Sequence, residues 1–416
     1  MKILIAGSGI GGLTAALSLH AAGLSDVTVL EAAREIREVG VGINLPPHAM
    51  RELTELGLDE AVARVGVPTA ALAYHDRKGQ PIWTEARGLD AGYRWPQYSV
   101  HRGYLQRLLV DAVRERLGEG AIRTGQRATR VTNSADGMAT MHTQGADGSM
   151  LEWQADVVIA ADGIRSSLRQ SVLGAPTPLA SHGWMMYRGT TQAPPFLGGR
   201  TMVICGDEHQ RIVVYPIAEG ESSLLNWLLV RPQAADAADD LGNWNVEVDP
   251  AVVAHWVDDW RFDWLDMRAL VAGAPVAYEY PMADIDPLPT WVSGRCALLG
   301  DAAHAMYPFG SNGASQAILD ARVLAYELAT QPTVDVALAA YDAQRRLATA
   351  AVQLANRRQA SDVMVRVSDM ARHNAHGQAA AELQSIERDY KRLAGFDAES
   401  LNTRRSWSVT AKAQRA

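Results

Sequence analysis

Lys2-Ile3-Leu4-Ile5-Ala6-Gly7-Ser8-Gly9-Ile10-Gly11-Gly12-Leu13 opens the chain and decides its fold. Residues 2–6 form a short apolar run. Leu13, Ala16, Leu17 and His20 then recur at helical spacing, and a second apolar run, 27–30, ends on Glu31. The order is strand, glycine turn, helix, strand, acid. Gly7 permits the tight turn, Gly9 lets the backbone approach a ligand, and Gly12 lets the helix pack closely on the strand. Around Gly9, Ile10 and Gly11, free N–H groups and the helix dipole favour a pyrophosphate. Glu31 stands where a carboxylate accepts bonds from a ribose diol. The pattern predicts a bound dinucleotide, FAD or NAD, and the acid argues against a 2′-phosphate.

Size and charge narrow the rest. A chain of 416 residues can bury a large core and divides into two or three units. A net charge of −8 argues against a nucleic-acid partner. Cys205 and Cys296 match no metal spacing and read as buried small residues in a reducing compartment. No apolar run approaches the roughly 18 residues of a membrane span. The first strand begins at Lys2, so no targeting peptide is expected and the location expected is cytoplasmic.

Gly40-Val41-Gly42-Ile43-Asn44-Leu45 reads as extended backbone lying against something flat, followed by a helix with Ala49, Leu53 and Leu56 that Gly57 ends. Residues 72–98 read as a small hairpin. Arg102 stands near the start of a helix carrying Leu105, Leu109 and Val113, an unfavourable place for a cation unless an anion is close. Residues 121–160 alternate as short strands and end in a buried strand running into Asp162-Gly163-Ile164-Arg165-Ser166. Residues 183–231 carry strand patterns only and predict an antiparallel sheet. Residues 233–243 read as a surface loop. Trp256, Trp260, Phe262 and Trp264 read as packed core. A further buried strand, 296–299, meets Gly300-Asp301, then Pro308 to Gly313 and a helix. Residues 333–395 read as helical and 399–416 as a mobile tail.

Three motifs in this order resemble the single-component FAD-dependent aromatic hydroxylases, the p-hydroxybenzoate hydroxylase-like flavoprotein monooxygenases. They are Gly7 to Gly12 with Glu31, Asp162 to Ser166, and Gly300-Asp301 through Pro308 to Gly313. The stretches 40–43, 96–103 and 306–320 resemble most the 5-methylphenazine-1-carboxylate monooxygenase type within that family. The resemblance covers residues 1–360. It implies an α/β fold: a Rossmann-type FAD-binding domain with an inserted antiparallel-sheet substrate domain and C-terminal helices. The expected division is 1–72, 99–176 and 285–331 for FAD, 73–98 and 177–284 for substrate, and 332–416 for the helical region with its tail.

The resemblance also implies roles. Asp301 would contact the FAD ribose and Arg102 the pyrophosphate. Asp162 and Gly163 would serve both FAD and pyridine nucleotide. Gly42, Ile43, Gly310, Asn312, Gly313 and Ala314 would line the isoalloxazine. Ser315 stands where many relatives carry asparagine, so a ring contact is lost or remade by Asn312. His304 matches a family position and reads as structural. FAD would be bound non-covalently, with NAD(P)H as a transient co-substrate. An aromatic or heteroaromatic ring would be hydroxylated with O2 through a flavin C4a-hydroperoxide, with or without decarboxylation. The pocket candidates are Tyr187, Arg188, Tyr215, Trp227 and Pro308, with Arg188 as a carboxylate partner. The competing readings are a salicylate or hydroxybenzoate hydroxylase, a flavin oxidase or dehydrogenase, and a non-catalytic flavoprotein.

Overall fold

The computed structural model describes residues 1–38, 40–220, 222–233, 246–359, 364–373 and 376–409. Of the expected surface loop 233–243, residues 234–243 lie outside them.

The opening strand, Ile3–Ala6, runs through the middle of a six-stranded sheet. Val27–Leu30 pairs with it in parallel on one side and Val157–Ala160 on the other. Cys296–Leu298 extends the sheet beyond Val157–Ala160, and Ile122–Arg123 extends it beyond Val27–Leu30. Ile3, Leu4, Ile5, Val157, Val158 and Ile159 have no solvent exposure. Such continuous apolar strands suit a parallel sheet covered on both faces. The helices Ile10–Ala21 and Gly313–Thr330 pack against each other over it. The chain leaves Ile3–Ala6 toward one neighbour and later returns on the opposite side. This switch in direction opens a crevice at the carboxyl ends of the strands, where ligands of such sheets bind.

The second sheet has eight strands. In spatial order they are Val246–Val248, Ala277–Asp284, Ala180–Ala193, Ser223–Pro232, Arg211–Ala218, Thr201–Gly206, Ala71–His75 and Pro81–Ala86. It is not purely antiparallel, because Thr201–Gly206 pairs in parallel with Ala71–His75. Those two strands are not joined by a hairpin, so no short turn dictates their direction. One face packs on the helices Pro250–Ala254 and Met267–Ala272, with Val253, Trp260 and Leu270 in the core between.

That face also holds two residues expected in the pocket. Tyr187 and Trp227 lie in this core, not on the cavity side. The Trp227 indole covers Gly189, where any Cβ would collide with it, and its Nε1 donates to Thr191 Oγ1 at 3.1 Å. The reason is strand alternation: Arg188 faces the cavity, so Tyr187 must face away, and Leu228 displaces Trp227 in the same manner.

The opposite face is roofed by the C-terminal helices. Val367, Ala379 and Leu383 pack on Leu72, Tyr74, Met202 and Tyr215. Residues 399–409 of the tail expected to be mobile are held by both kinds of contact: Leu401 is fully buried, Trp407 and Val409 pack against the main core, and polar bonds add to them. Ser406 Oγ and Ser408 Oγ donate to Glu55, Arg404 pairs with Glu52, and the Arg404 guanidinium lies 4.2 Å from the Trp407 ring centroid. Residues 410–416 lie outside the described chain. Among the described residues no helix is long and apolar enough to cross a membrane.

Candidate active site

A cavity of about 470 Å³ lies between the two sheets. One half is built of backbone. Gly9, Ile10 and Gly11 line it from the start of the first helix, Gly163 from the turn after Val157–Ala160, and Gly310, Gly313 and Ala314 from the start of the helix Gly313–Thr330. Neither helix start carries a side-chain cap, so their first N–H groups are left for another partner. A Cβ at Gly9, Gly163 or Gly313 would meet nothing within 4 Å. These three glycines therefore edge an open cradle that side chains would fill. Backbone donors at two helix N-termini suit an anion and an electron-rich ring edge, and the cradle fits FAD. Among the described residues no cluster suits a metal ion.

The other glycines of the opening motif act in packing. A Cβ at Gly12 would collide with the Gly7 carbonyl, and one at Gly7, with φ +101°, would collide with that of Ala161. Glu31 accepts from Ser8 N–H at 2.8 Å, Ser8 Oγ at 2.7 Å and Ala33 N–H at 2.8 Å. It braces the glycine turn and does not line the cavity. Asp162 is also turned inward: its carboxylate accepts from Ser166 Oγ at 2.5 Å and Leu168 N–H at 3.2 Å. Burial raises its pKa, and those donors oppose the rise. Arg102 and Asp301 are exposed side chains on the cavity wall, which places charge where the sequence expected it.

The second half is built of side chains. Gly42 and Ile43 reach it from the first domain. A Cβ on Gly42 would fall 2.7 Å from the Tyr215 ring and 2.8 Å from Asn226, so this backbone does lie against a flat surface. Gly42 N–H donates to Asn226 Oδ1 at 2.7 Å, and Arg188 Nη2 donates to the Gly42 carbonyl at 2.7 Å. Arg188 lies beside Tyr215; burial lowers its pKa and raises that of Tyr215 to about 12. Arg188 and Tyr215 are therefore partly occupied in fastening the eight-stranded sheet to the strand Gly42–Leu45. Pro308 lines the cavity with Tyr307 and Phe309.

Arg211 is the pocket residue that sequence reasoning missed. It is 3% exposed, and its guanidinium lies 4.8 Å from the Phe309 ring centroid and 5.4 Å from that of Trp184. Burial pulls its pKa down to about 10, so it is a cation at neutral pH. The cavity lining also includes the apolar Met202, Ile204, Val213, Leu228 and Val230, while Tyr74 and Asp207 are near enough to act on the Arg211 charge. The alternation that puts Val213 with Tyr215 on one face would have found Arg211 two residues earlier.

Behind the glycine half lies a polar layer. His304 is fully buried with Nε2 at 2.5 Å from Asp320, which also accepts from Arg345 Nε at 2.7 Å. Arg345 reaches Gln316 Oε1 at 2.6 Å, and Gln316 donates to Asn312 Oδ1 at 3.2 Å. Asn312 Oδ1 also accepts from His48 at 2.9 Å, and Asn312 Nδ2 donates to the Tyr390 hydroxyl at 3.0 Å. Both ends of this carboxamide are engaged inside the protein, so it does not replace a contact absent at Ser315. The Ser315 hydroxyl is itself buried without a hydrogen-bond partner.

The family described as FAD binding domain matches residues 1–241 and 287–355. Phenazine 1,6-dicarboxylic acid hydroxylase PhzS of Lysobacter antibioticus is 45% identical over 362 residues, spanning 85% of this chain and 89% of that protein. The salicylate hydroxylase of Pseudomonas putida is 32% identical over 380 residues, 83% of this chain and 81% of that one. Among solved structures, Klebsiella pneumoniae HpxO complexed with FAD and uric acid matches with a TM-score of 0.77 and 25% identity over 96% of each chain.

Proposed function

The chain belongs to the FAD-dependent aromatic hydroxylases, and on that premise we propose that its substrate is a planar, fused-ring aromatic or heteroaromatic carboxylic acid. The observation that carries this reading is Arg211, a buried cation on the cavity side of the sheet, flanked by the rings of Phe309 and Trp184 and close to Met202, Val213 and Val230 of the lining. Such a site favours a flat apolar body with one anionic group. The 45% identity to a phenazine dicarboxylic acid hydroxylase supports the same substrate class.

The reading assigns roles as follows. Gly9 to Gly11 and Arg102 would hold the FAD pyrophosphate, Glu31 would keep the glycine turn beneath it in shape, Asp301 would meet a ribose, and the N–H groups of Gly313 and Ala314 would serve the flavin ring. Bound FAD supplies the electron transfer that activates O2. Gly163, with its open Cβ position at the cavity edge, would border the transient site of NAD(P)H, the source of the electrons. The balance is one O2, one NAD(P)H and one proton consumed per hydroxyl inserted, with one water released. Where the hydroxyl enters at the carboxylate-bearing carbon, that carboxylate leaves as carbon dioxide.

The protein's own side chains orient the ring and keep water away. Arg211 holds the carboxylate. Tyr215 keeps its proton at neutral pH, because burial raises its pKa to about 12, and offers the hydroxyl as a fixed polar edge. Met202, Ile204, Val213, Leu228 and Val230 exclude water, which would otherwise divert the activated oxygen. The division of the chain is then 1–72, 99–176 and 285–331 for FAD, and 73–98 and 177–284 for substrate.

The test is coupled turnover, hydroxylated product per NAD(P)H oxidised, with a phenazine carboxylic acid and with salicylate. Tight coupling with the fused ring is expected. Tight coupling with salicylate and none with any fused ring would make this a simple benzoate hydroxylase.

A further inference from the structure

We propose that Tyr390, on the helix His376–Leu393, is a positioning residue that sets the geometry of the flavin-facing loop 309–312. The proposal rests on assigning that loop and the following helix start to the flavin.

The loop is held in an unusual shape. Gly310 has φ +74° and Ser311, a non-glycine residue, has φ +52°. Strained backbone persists only where its surroundings over-determine it. Tyr390 supplies that constraint at two points. Its hydroxyl accepts from Asn312 Nδ2 at 3.0 Å, and its ring lies so close beneath Gly310 that any Cβ there would collide with it. Nearby, Asn356 Nδ2 donates to the Tyr307 carbonyl at 3.0 Å and holds the residue before Pro308. The contacts of Tyr390 thus fix the loop at Gly310 and Asn312. Directly after it come Gly313 and Ala314, whose N–H groups line the cavity.

The helix that carries Tyr390 is itself fixed. Glu387 pairs with Arg87 at 2.9 Å, and Lys391 pairs with Glu85 at 2.5 Å, both across to the strand Pro81–Ala86 and its end. The same helix lines the cavity through Leu383, Ile386 and Glu387. One rigid element therefore touches the substrate half and fixes the loop of the flavin half. Nothing in the glycine motifs encodes this. The residue comes from a part of the chain beyond all three of them.

The experiment uses the FAD-loaded protein without substrate. Tyr390→Phe keeps the ring under Gly310 and removes the acceptor for Asn312. The ratio of reduced to oxidised FAD affinity should change by about tenfold, which is a shift of about 30 mV for a two-electron couple. The visible flavin spectrum should shift with it. Asn312→Ala cuts the same bond from the other side, so the double variant should move the potential no further than the larger single one. An unchanged potential and spectrum in Tyr390→Phe, with only a lower melting temperature, would overturn the proposal, as would fully additive shifts. Gly313→Val separates the two readings. If it abolishes FAD binding while Tyr390→Phe is silent, only the role of Tyr390 falls; if it leaves FAD binding intact, the assignment of the loop falls as well.

Discussion

The two halves of the cavity are built by opposite means. The flavin half is shaped by what is missing: Gly9, Gly163 and Gly313 leave their Cβ positions open. The substrate half is shaped by what is present, a single face of an eight-stranded sheet carrying Arg188, Arg211, Val213, Tyr215, Leu228 and Val230. The reverse face packs on helices. Tyr187 and Trp227 meet Trp256 and Trp260 in a core there, with the Tyr187 and Trp256 rings 4.5 Å apart and tilted by 60°. Aromatic residues stand on both faces, so their presence in a strand does not by itself mark the ligand side.

The largest effect separates the two faces of the sheet. Trp227→Ala should destabilise the fold by about 3–5 kcal/mol, the usual range for a buried tryptophan. Denaturant unfolding would measure it, and KM for substrate should stay unchanged at a temperature where the variant is folded. A raised KM with little loss of stability would return Trp227 to the pocket.

Gly9→Val tests the backbone-built half. Its φ of −70° suits any residue, and the new side chain points into the cradle, so the apoprotein should fold normally. FAD affinity, read by fluorescence titration, should fall at least about a hundredfold, or roughly 2.7 kcal/mol. Arg102→Ala should weaken FAD by roughly 1.5–3 kcal/mol, the scale of a charged hydrogen bond. Lysine should recover only part of it, lacking the planar fork. Wild-type FAD affinity in the alanine variant would remove Arg102 from the pyrophosphate.

Arg211→Leu sharpens the contrast between the halves. KM for a carboxylated ring should rise about tenfold, roughly 1.4 kcal/mol, with FAD affinity unchanged. The corresponding carboxamide should be insensitive to the change. Equal effects on both substrates would assign Arg211 to packing.

The most gradual effect is a pH slope. His48 is fully buried against Asn312 and stacks on Phe396, and burial lowers its pKa to about 3 from an ordinary 6.5. The unfolded chain therefore binds this proton first as pH falls. Stability is complete above about 6.5 and declines toward 3, by up to about 1.4 kcal/mol per pH unit. His48→Gln should flatten the fall in melting temperature across that window, and an unchanged slope would assign acid sensitivity to other groups.

How much of this was legible follows from the same contrast. The glycine-lined half was readable because backbone forms it, and backbone requirements leave glycines at fixed places in sequence. Gly9, Gly163, Gly310 and Gly313 all line the cavity as expected. The substrate half depends on strand parity, which a one-residue shift inverts. Placing Tyr187 beside Arg188 in one pocket violated that parity. Arg211 was within reach of it. Tyr390 and Phe396 were not, because their partners are 78 and 348 residues away, Asn312 and His48 respectively. No local pattern records such pairings. The tail, expected mobile from 399, was misread for a related reason: its few apolar anchors, Leu401, Trp407 and Val409, and the bonds of Arg404, Ser406 and Ser408 to Glu52 and Glu55 all reach distant parts of the chain.

The central claim is that the FAD-loaded protein inserts one atom of dioxygen into a fused aromatic acid. Turnover of a phenazine carboxylic acid with NAD(P)H under isotopically labelled O2, followed by mass spectrometry of the product, tests it most directly. The account predicts one labelled oxygen atom per product molecule and one NAD(P)H oxidised for each. Product carrying oxygen from water, or NAD(P)H oxidation that yields only hydrogen peroxide with every aromatic acid supplied, would contradict it.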